Sequence, residues 1–184
     1  MNPCYFAVGV PIGPQYVGQD VSKTATQVLV ARDYVDVSPS DYSVWLNALM
    51  GAEKLDADTL HRLNAGNGQV PLVIWYEPDS PDVDILTSYR LALNGTLAGN
   101  QPDTPDQYRV ITPDLQTHVL NTRERDIWLA CWSPSTPLNA VITRLSRHGP
   151  SELETIRHQV WQFVGRTMQA RLAYLLPCVT GGSL

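Results

Sequence analysis

The chain is short of almost everything that marks a particular chemistry. It has 3 cysteines in 184 residues, and Cys4, Cys131 and Cys178 are widely separated with no C-x-x-C spacing. That excludes a disulfide framework and a thiol-rich zinc site. No apolar run approaches bilayer-spanning length, since Val70–Tyr76 and Leu172–Leu176 are both far too short. Met1-Asn2-Pro3-Cys4-Tyr5-Phe6 lacks the basic and apolar regions of a signal peptide, so a cytoplasmic protein without membrane association is expected. The G-x-S-x-G, phosphate-loop, G-x-G-x-x-G and H-E-x-x-H patterns are all missing. His61, His118, His148 and His158 never stand four apart, which removes a helical metal pair. Glu77, Asp79, Asp82 and Asp84 lack calcium-loop spacing and are interrupted by Pro78 and Pro81, so they read as a solvated turn. We therefore expect no catalytic set, no metal and no cofactor.

Charge is also scarce and unevenly placed. With 43% hydrophobic and 17% charged residues, the composition is that of a folded domain. Residues 1–106 carry 5 Lys/Arg against 13 Asp/Glu, whereas residues 107–184 carry 8 Arg, no Lys and 5 Asp/Glu. An acidic part and a basic part on one chain attract each other within the molecule or across a homodimer, or offer the basic part to an anionic partner.

What the chain does contain is a pattern stated twice. Val37-Ser38-Pro39-Ser40-Asp41-Tyr42-Ser43-Val44-Trp45-Leu46 parallels Leu120-Asn121-Thr122-Arg123-Glu124-Arg125-Asp126-Ile127-Trp128-Leu129. Extended chain precedes each: Gln27–Val37 in the first case, Tyr108–Thr112 and Thr117–Leu120 in the second. Ser38 is placed as an N-cap with Pro39 at the first helical position, and Asn121 with Glu124 makes a capping box. Tyr42, Trp45 and Leu49 form one apolar face; Ile127, Trp128, Cys131 and Trp132 form the other. A second helix follows each, from Asp56 through Leu63 and from Pro137 with Leu138, Val141, Ile142 and Leu145. Val70–Tyr76 reads as a strand and Ile85–Leu93 as its returning partner, with a helix from Asp82 as the competing assignment. Leu153, Ile156, Val160, Val164, Met168, Leu172 and Leu175 recur every three or four residues behind a capping box of Ser151 and Glu154, which predicts one long helix over 151–176.

Strand, capped helix, connector, second helix and hairpin is the outline of a winged helix. The spacing Val37-Ser38, Tyr42, Val44-Trp45, Leu49 and Gly51, followed by Leu55 and Leu60, resembles the small winged-helix modules of the PqqD-like family. That resemblance implies recognition of a leader peptide, added as an extra strand beside the sheet. The expectation is therefore an α+β protein of two winged-helix-like lobes, internally repeated, with a long C-terminal helix. The lobes are an acidic one at 1–93 and a basic one at 107–184, joined by a linker at 94–106. Its expected work is non-catalytic binding of a protein or peptide as adaptor or regulator, on a strand edge of Val70, Leu72, Ile74 and Tyr76. A homodimer through helix 151–176 is the expected assembly. Arg144, Arg147, Arg157 and Arg166 are the candidate contacts for nucleic acid or an acidic partner, giving a DNA-binding regulator as the alternative and an unrecognised enzyme as the third.

Overall fold

Thr26, Val28 and Val30 are buried while Gln27 and Leu29 between them are not, a period of two that makes a strand with one face in the core. The same alternation recurs at Tyr108 and Val110, and in both cases one further strand separates the run from a capped helix. The computed structural model describes residues 4–16, 24–49, 55–65, 70–76, 83–101, 104–146 and 150–178. It shows a mixed α+β protein dividing into two units, Met1–Asp82 with Leu175–Leu184, and Val83–Tyr174.

The first unit runs β1 (Cys4–Ala7), β2 (Val10–Tyr16), β3 (Thr24–Val30), β4 (Asp33–Val37), α1 (Pro39–Leu49), α2 (Ala57–Ala65) and β5 (Val73–Tyr76). Strands β2, β3 and β4 form an antiparallel meander; β1 and β5 form a separate antiparallel pair with Ala7 opposite Val73. The β3–β4 turn holds Ala31 at φ +57°. Ser38 Oγ accepts the N–H of Asp41 at 3.2 Å, opening α1, and Trp45, Ala48 and Leu49 face the core. Trp45 stacks on Tyr42 with centroids 5.7 Å apart and donates its indole N–H to Val8 O at 3.1 Å. Val8 N–H donates to Leu72 O at 2.8 Å, just ahead of β5, and Gly9 N–H donates to Leu175 O at 2.9 Å. Only glycine fits at position 9, because φ is +109° and a Cβ would lie 2.5 Å from Val28 Cγ1.

The second unit runs α3 (Val83–Ser88), β6 (Tyr89–Leu93), β7 (Thr96–Gln101), β8 (Thr104–Ile111), β9 (Thr117–Asn121), α4 (Thr122–Ala130), α5 (Leu138–Leu145) and α6 (Pro150–Gln169); β10 (Ala173–Pro177) begins in it and belongs to the first unit from Leu175 on. Strands β7, β8 and β9 form an antiparallel meander, and β6 pairs with β10. The β8–β9 turn holds Leu115 at φ +63°. Asn121 caps α4 with a complete capping box, both bonds at 2.9 Å. Ile127, Trp128 and Cys131 are buried with Leu138, Val141 and Ile142 of α5 and with Ile156, Val160, Val164 and Met168 of α6. Asn94 N–H donates to Leu172 O at 2.7 Å, just ahead of β10, and its side chain donates to Arg171 O at 2.9 Å. A Cβ on Gly95 would lie 2.7 Å from Val110 Cγ1.

Several expectations need correction. The hairpin of Val70–Tyr76 with Ile85–Leu93 is not formed: β5 pairs with β1, α3 occupies Val83–Ser88, and β6 pairs with β10. Residues 94–106 are not a free linker among the described positions, because β7 and the start of β8 lie there. The helix expected over 151–176 ends at Gln169. Arg171 adopts φ +55°, its N–H bonds Met168 O at 2.9 Å, and Leu172 N–H bonds Thr167 O at 2.8 Å. Those two bonds are a Schellman stop, and the chain turns into β10. The expected Ser151–Glu154 box falls inside α6, which begins at Pro150; Glu154 pairs with Arg157 instead. Trp132 is 57% exposed and does not join the buried face of α4. Gly51, Gly66–Gly68 and the turn at 77–82 lie outside the described residues.

Candidate functional site

Among the described residues β5 and β6, one from each two-stranded pair, have a strand neighbour on one side, as do the outer strands of the two meanders. β5 has β1 on one side only. On its other side the Asn64 side chain takes both backbone groups of Val73, accepting its N–H at 3.1 Å and donating to its carbonyl at 3.0 Å. Amides two residues apart on a strand point the same way, so the N–H and C=O of Trp75 face that same outer edge. The Trp75 ring stands beside them, 48% exposed.

Among the described residues β6 has β10 as its one strand neighbour. Asn94 directs its N–H to the β10 side, so by alternation the amides of Leu93 and Gly95 belong to the opposite edge. A cavity of about 220 Å³ runs along β6, walled by Leu91, Leu93, Gly95, Cys131, Trp132 and Pro134. That volume falls below the roughly 300–1,000 Å³ of small-molecule sites and suits a side chain with a stretch of backbone. In the first unit the corresponding edge of β1 is not open. Leu175 bridges Val8 there in parallel and accepts the Gly9 N–H, and its side chain is fully buried.

The expected strand-edge residues are placed differently from one another. Leu72 and Ile74 are core side chains, Val70 precedes β5, and the side chain of Tyr76 lies outside the described residues. What β5 presents at its outer edge is the backbone and ring of Trp75. Of the expected arginines, Arg144 is exposed on α5. Arg157 is ion-paired with Glu154 at 2.6 Å and Arg166 with Glu124, while Arg147 lies outside the described residues. They are not gathered into one basic surface: two are committed to carboxylates of their own unit. The pair Arg166–Glu124 crosses a second, polar cavity of about 340 Å³ between α4 and α6, which Arg123 also lines while donating to Gln159 at 2.8 Å.

The β6 cavity is lined by one cationic side chain, Arg90, beside its apolar residues. Burial pushes the Cys131 thiol up to about 12, so it stays protonated and unreactive at neutral pH. Burial likewise pushes the Tyr89 phenol up to about 12. Among the described residues no three His, Cys, Asp or Glu side chains converge in the manner of a metal site. Among those residues no helix is long and apolar enough to cross a membrane.

Trp75, Trp132, Asn64 and Gly95 were not among the residues singled out from sequence as a site. An exposed tryptophan carries no local signal that separates it from a buried one. The Asn64 clamp and the Gly95 approach depend on partners 9 and 15 or more positions away. No protein-family model, curated protein or solved structure matches this chain.

Proposed function

We propose that this chain is a non-catalytic protein-recognition module, built as a tandem of two related lobes, that takes up an extended segment by strand addition. The tandem reading is supported by correspondences that run through the hydrogen bonds. Val8 and Asn94 each follow the first strand of a unit, and each donates its N–H to the leucine ahead of the last strand, Leu72 or Leu172. Gly9 and Gly95 come next, each against the middle strand of its meander at Val28 or Val110. Val10 and Leu29 pair as Thr96 and Ile111 do, and β2 and β7 both lose register a residue or two further on. Trp45 and Trp128 each stand seven residues beyond the helix cap. The winged-helix part of the expectation has no comparable support, since its wing would be the hairpin that β5 and β6 do not form.

One observation carries the functional reading. The edge of β1 is occupied in parallel by Leu175, while the matching edge of β6 faces a cavity with Trp132 at its rim. A vacant strand position beside an aromatic side chain supplies main-chain hydrogen bonds for affinity and a pocket for selectivity. The Cys131 thiol in the cavity wall is held protonated by its burial and so offers no nucleophile there at neutral pH. A phage-displayed library of random ten-residue segments, selected on the wild-type chain, tests this. Selected segments should lose binding to Trp132→Ser, and should protect the Leu93 and Gly95 amides from hydrogen exchange. Selection of nothing, or of segments indifferent to Trp132→Ser, would sink it.

A further inference from the structure

We infer that the segment taken up along β6 is β5 of a second copy of this chain, with Trp75 entering beside Trp132. This rests on the strand-addition reading above and names its partner. Leu172 and Leu72 are matched by the N–H bonds they receive, so three residues on, Leu175 and Trp75 are matched as well. Leu175 lies along the outer edge of β1, parallel to it, and is fully buried. Its counterpart Trp75 is 48% exposed, with the Trp75 backbone on an edge that no strand of the described chain covers. The counterpart of the edge that Leu175 fills is the β6 edge. One free strand and one free groove of matching kind are thus present on every copy.

Charge favours this pairing over like with like. The first unit has 4 Lys/Arg and 10 Asp/Glu, and the second has 9 Arg and 8 Asp/Glu. First unit against first unit sets net −6 against net −6, whereas first against second sets −6 against +1. Asn64 contributes specificity: by holding both polar groups of Val73 it leaves Trp75 as the residue of β5 able to pair. The contact joins two different surfaces, so it closes into a two-fold dimer when each copy fills the other's groove, and grows into a chain when it does not. A single added strand buries less than a permanent interface does, so the association is reversible and depends on concentration.

Sedimentation equilibrium over a concentration series tests the inference, with circular dichroism to confirm folding of each variant. Wild type should sediment above the 20.4 kDa of one chain as concentration rises. Trp75→Lys removes the knob, and Leu93→Pro removes one of the two edge donors of the groove and distorts its strand; each should weaken self-association by at least about tenfold. An equimolar mixture of the two should associate again, because the Trp75→Lys copy keeps its groove and the Leu93→Pro copy keeps its β5. Should Leu93→Pro not fold, Trp132→Lys takes its place. Wild type that stays at 20.4 kDa, variants that associate as wild type does, or a folded mixture that remains monomeric would each overturn the inference. A labelled peptide of residues 70–76 added to Trp75→Lys separates the two readings. Wild type that is monomeric and ignores this peptide, yet retains library-selected segments at Trp132, leaves strand addition standing and removes only the second copy as occupant.

Discussion

Trp45 and Trp128 stand at the same step of two units, each fully buried on the helix that follows a three-stranded meander, and they are not equally at ease. Trp45 donates its indole N–H to Val8 O at 3.1 Å; the Trp128 Nε1 has no hydrogen-bond partner among the described residues. Both supply the same apolar volume. The difference lies in the strand beneath. In the first unit the chain at Val8 is held between Leu72 and Leu175, and its carbonyl is fixed where the indole can reach it. In the second unit the matching residue, Asn94, is clamped among the described residues to Leu172 and Arg171. A unit whose edge strand is flanked on both sides is the better satisfied one, and the unsatisfied indole marks the unit with the open edge.

The largest expected asymmetry is at the two glycines. Gly9→Ala combines a Cβ 2.5 Å from Val28 Cγ1 with a φ of +109°, so overpacking and backbone strain add. A loss of about 3–4 kcal/mol is expected. Gly95→Ala meets Val110 Cγ1 at 2.7 Å without the positive φ. Its loss should be about 1–3 kcal/mol. Urea unfolding of both variants reads the pair. Equal losses would mean that backbone conformation at position 9 contributes nothing.

Phenylalanine at the two tryptophans comes next. Trp45→Phe opens a cavity and strands the buried Val8 carbonyl, whereas Trp128→Phe opens a similar cavity but removes a buried N–H that was already unpaired. The first should cost more than the second by about 1–3 kcal/mol, the penalty of one orphaned buried polar group. Chemical denaturation at one pH and temperature settles the order, and a larger loss at Trp128 would overturn the account of the two indoles.

The parts of this architecture that sequence made legible are those decided within a few residues. Ser38 and Asn121 are found as caps because the capping bond spans three positions, and Leu138, Val141 and Ile142 because helical period is local. What escaped is decided at long range or by an unlikely residue. The pairing of β6 with β10 joins chain some eighty positions apart, so nothing near Tyr89–Leu93 announces its partner. β7, with Thr96, Gly99 and Asn100, has the composition of a loop and is a strand because β8 pairs with it. α6 stops at a left-handed Arg171 where glycine is the usual signal, and Leu172 and Leu175 continue the helical period by coincidence. Trp132 reads as part of the buried face of its helix and Trp75 as one residue of a strand, and only the fold reveals both as exposed.

The two helix caps offer a smaller contrast. Asn121 and Glu124 satisfy each other's N–H reciprocally, while Ser38 accepts from Asp41 N–H and turns its own hydroxyl to the Asp41 carboxylate at 2.8 Å. Asn121→Ala should therefore cost about 1 kcal/mol and Ser38→Ala somewhat less, within the range of N-cap removals. Thermal melts of the two variants measure the order. A greater loss at Ser38 would show that its bond to the Asp41 carboxylate matters more than the reciprocal box.

The smallest effect concerns the acidic residue three places after each cap. Asp41 takes Arg62 from α2 at 2.8 Å, as Glu124 takes Arg166 from α6. The Arg62 hydrogen bond, helped by that of Ser38, holds the Asp41 carboxyl below its ordinary 3.8. A depressed carboxyl stabilises the fold only while it is ionised. Its contribution is complete above 3.8, where the unfolded chain is ionised as well, and it fades as pH falls through the lower folded value. The stability gap between wild type and Asp41→Asn should accordingly be constant from neutrality down to about pH 5 and close below 3.8. Because this pair is open to water, the gap is small and shrinks with added salt. Urea midpoints at stepped pH values read it directly. A gap that widens on acidification would reverse the sign and show that Asp41 is destabilised, not stabilised, by its place at the head of α1.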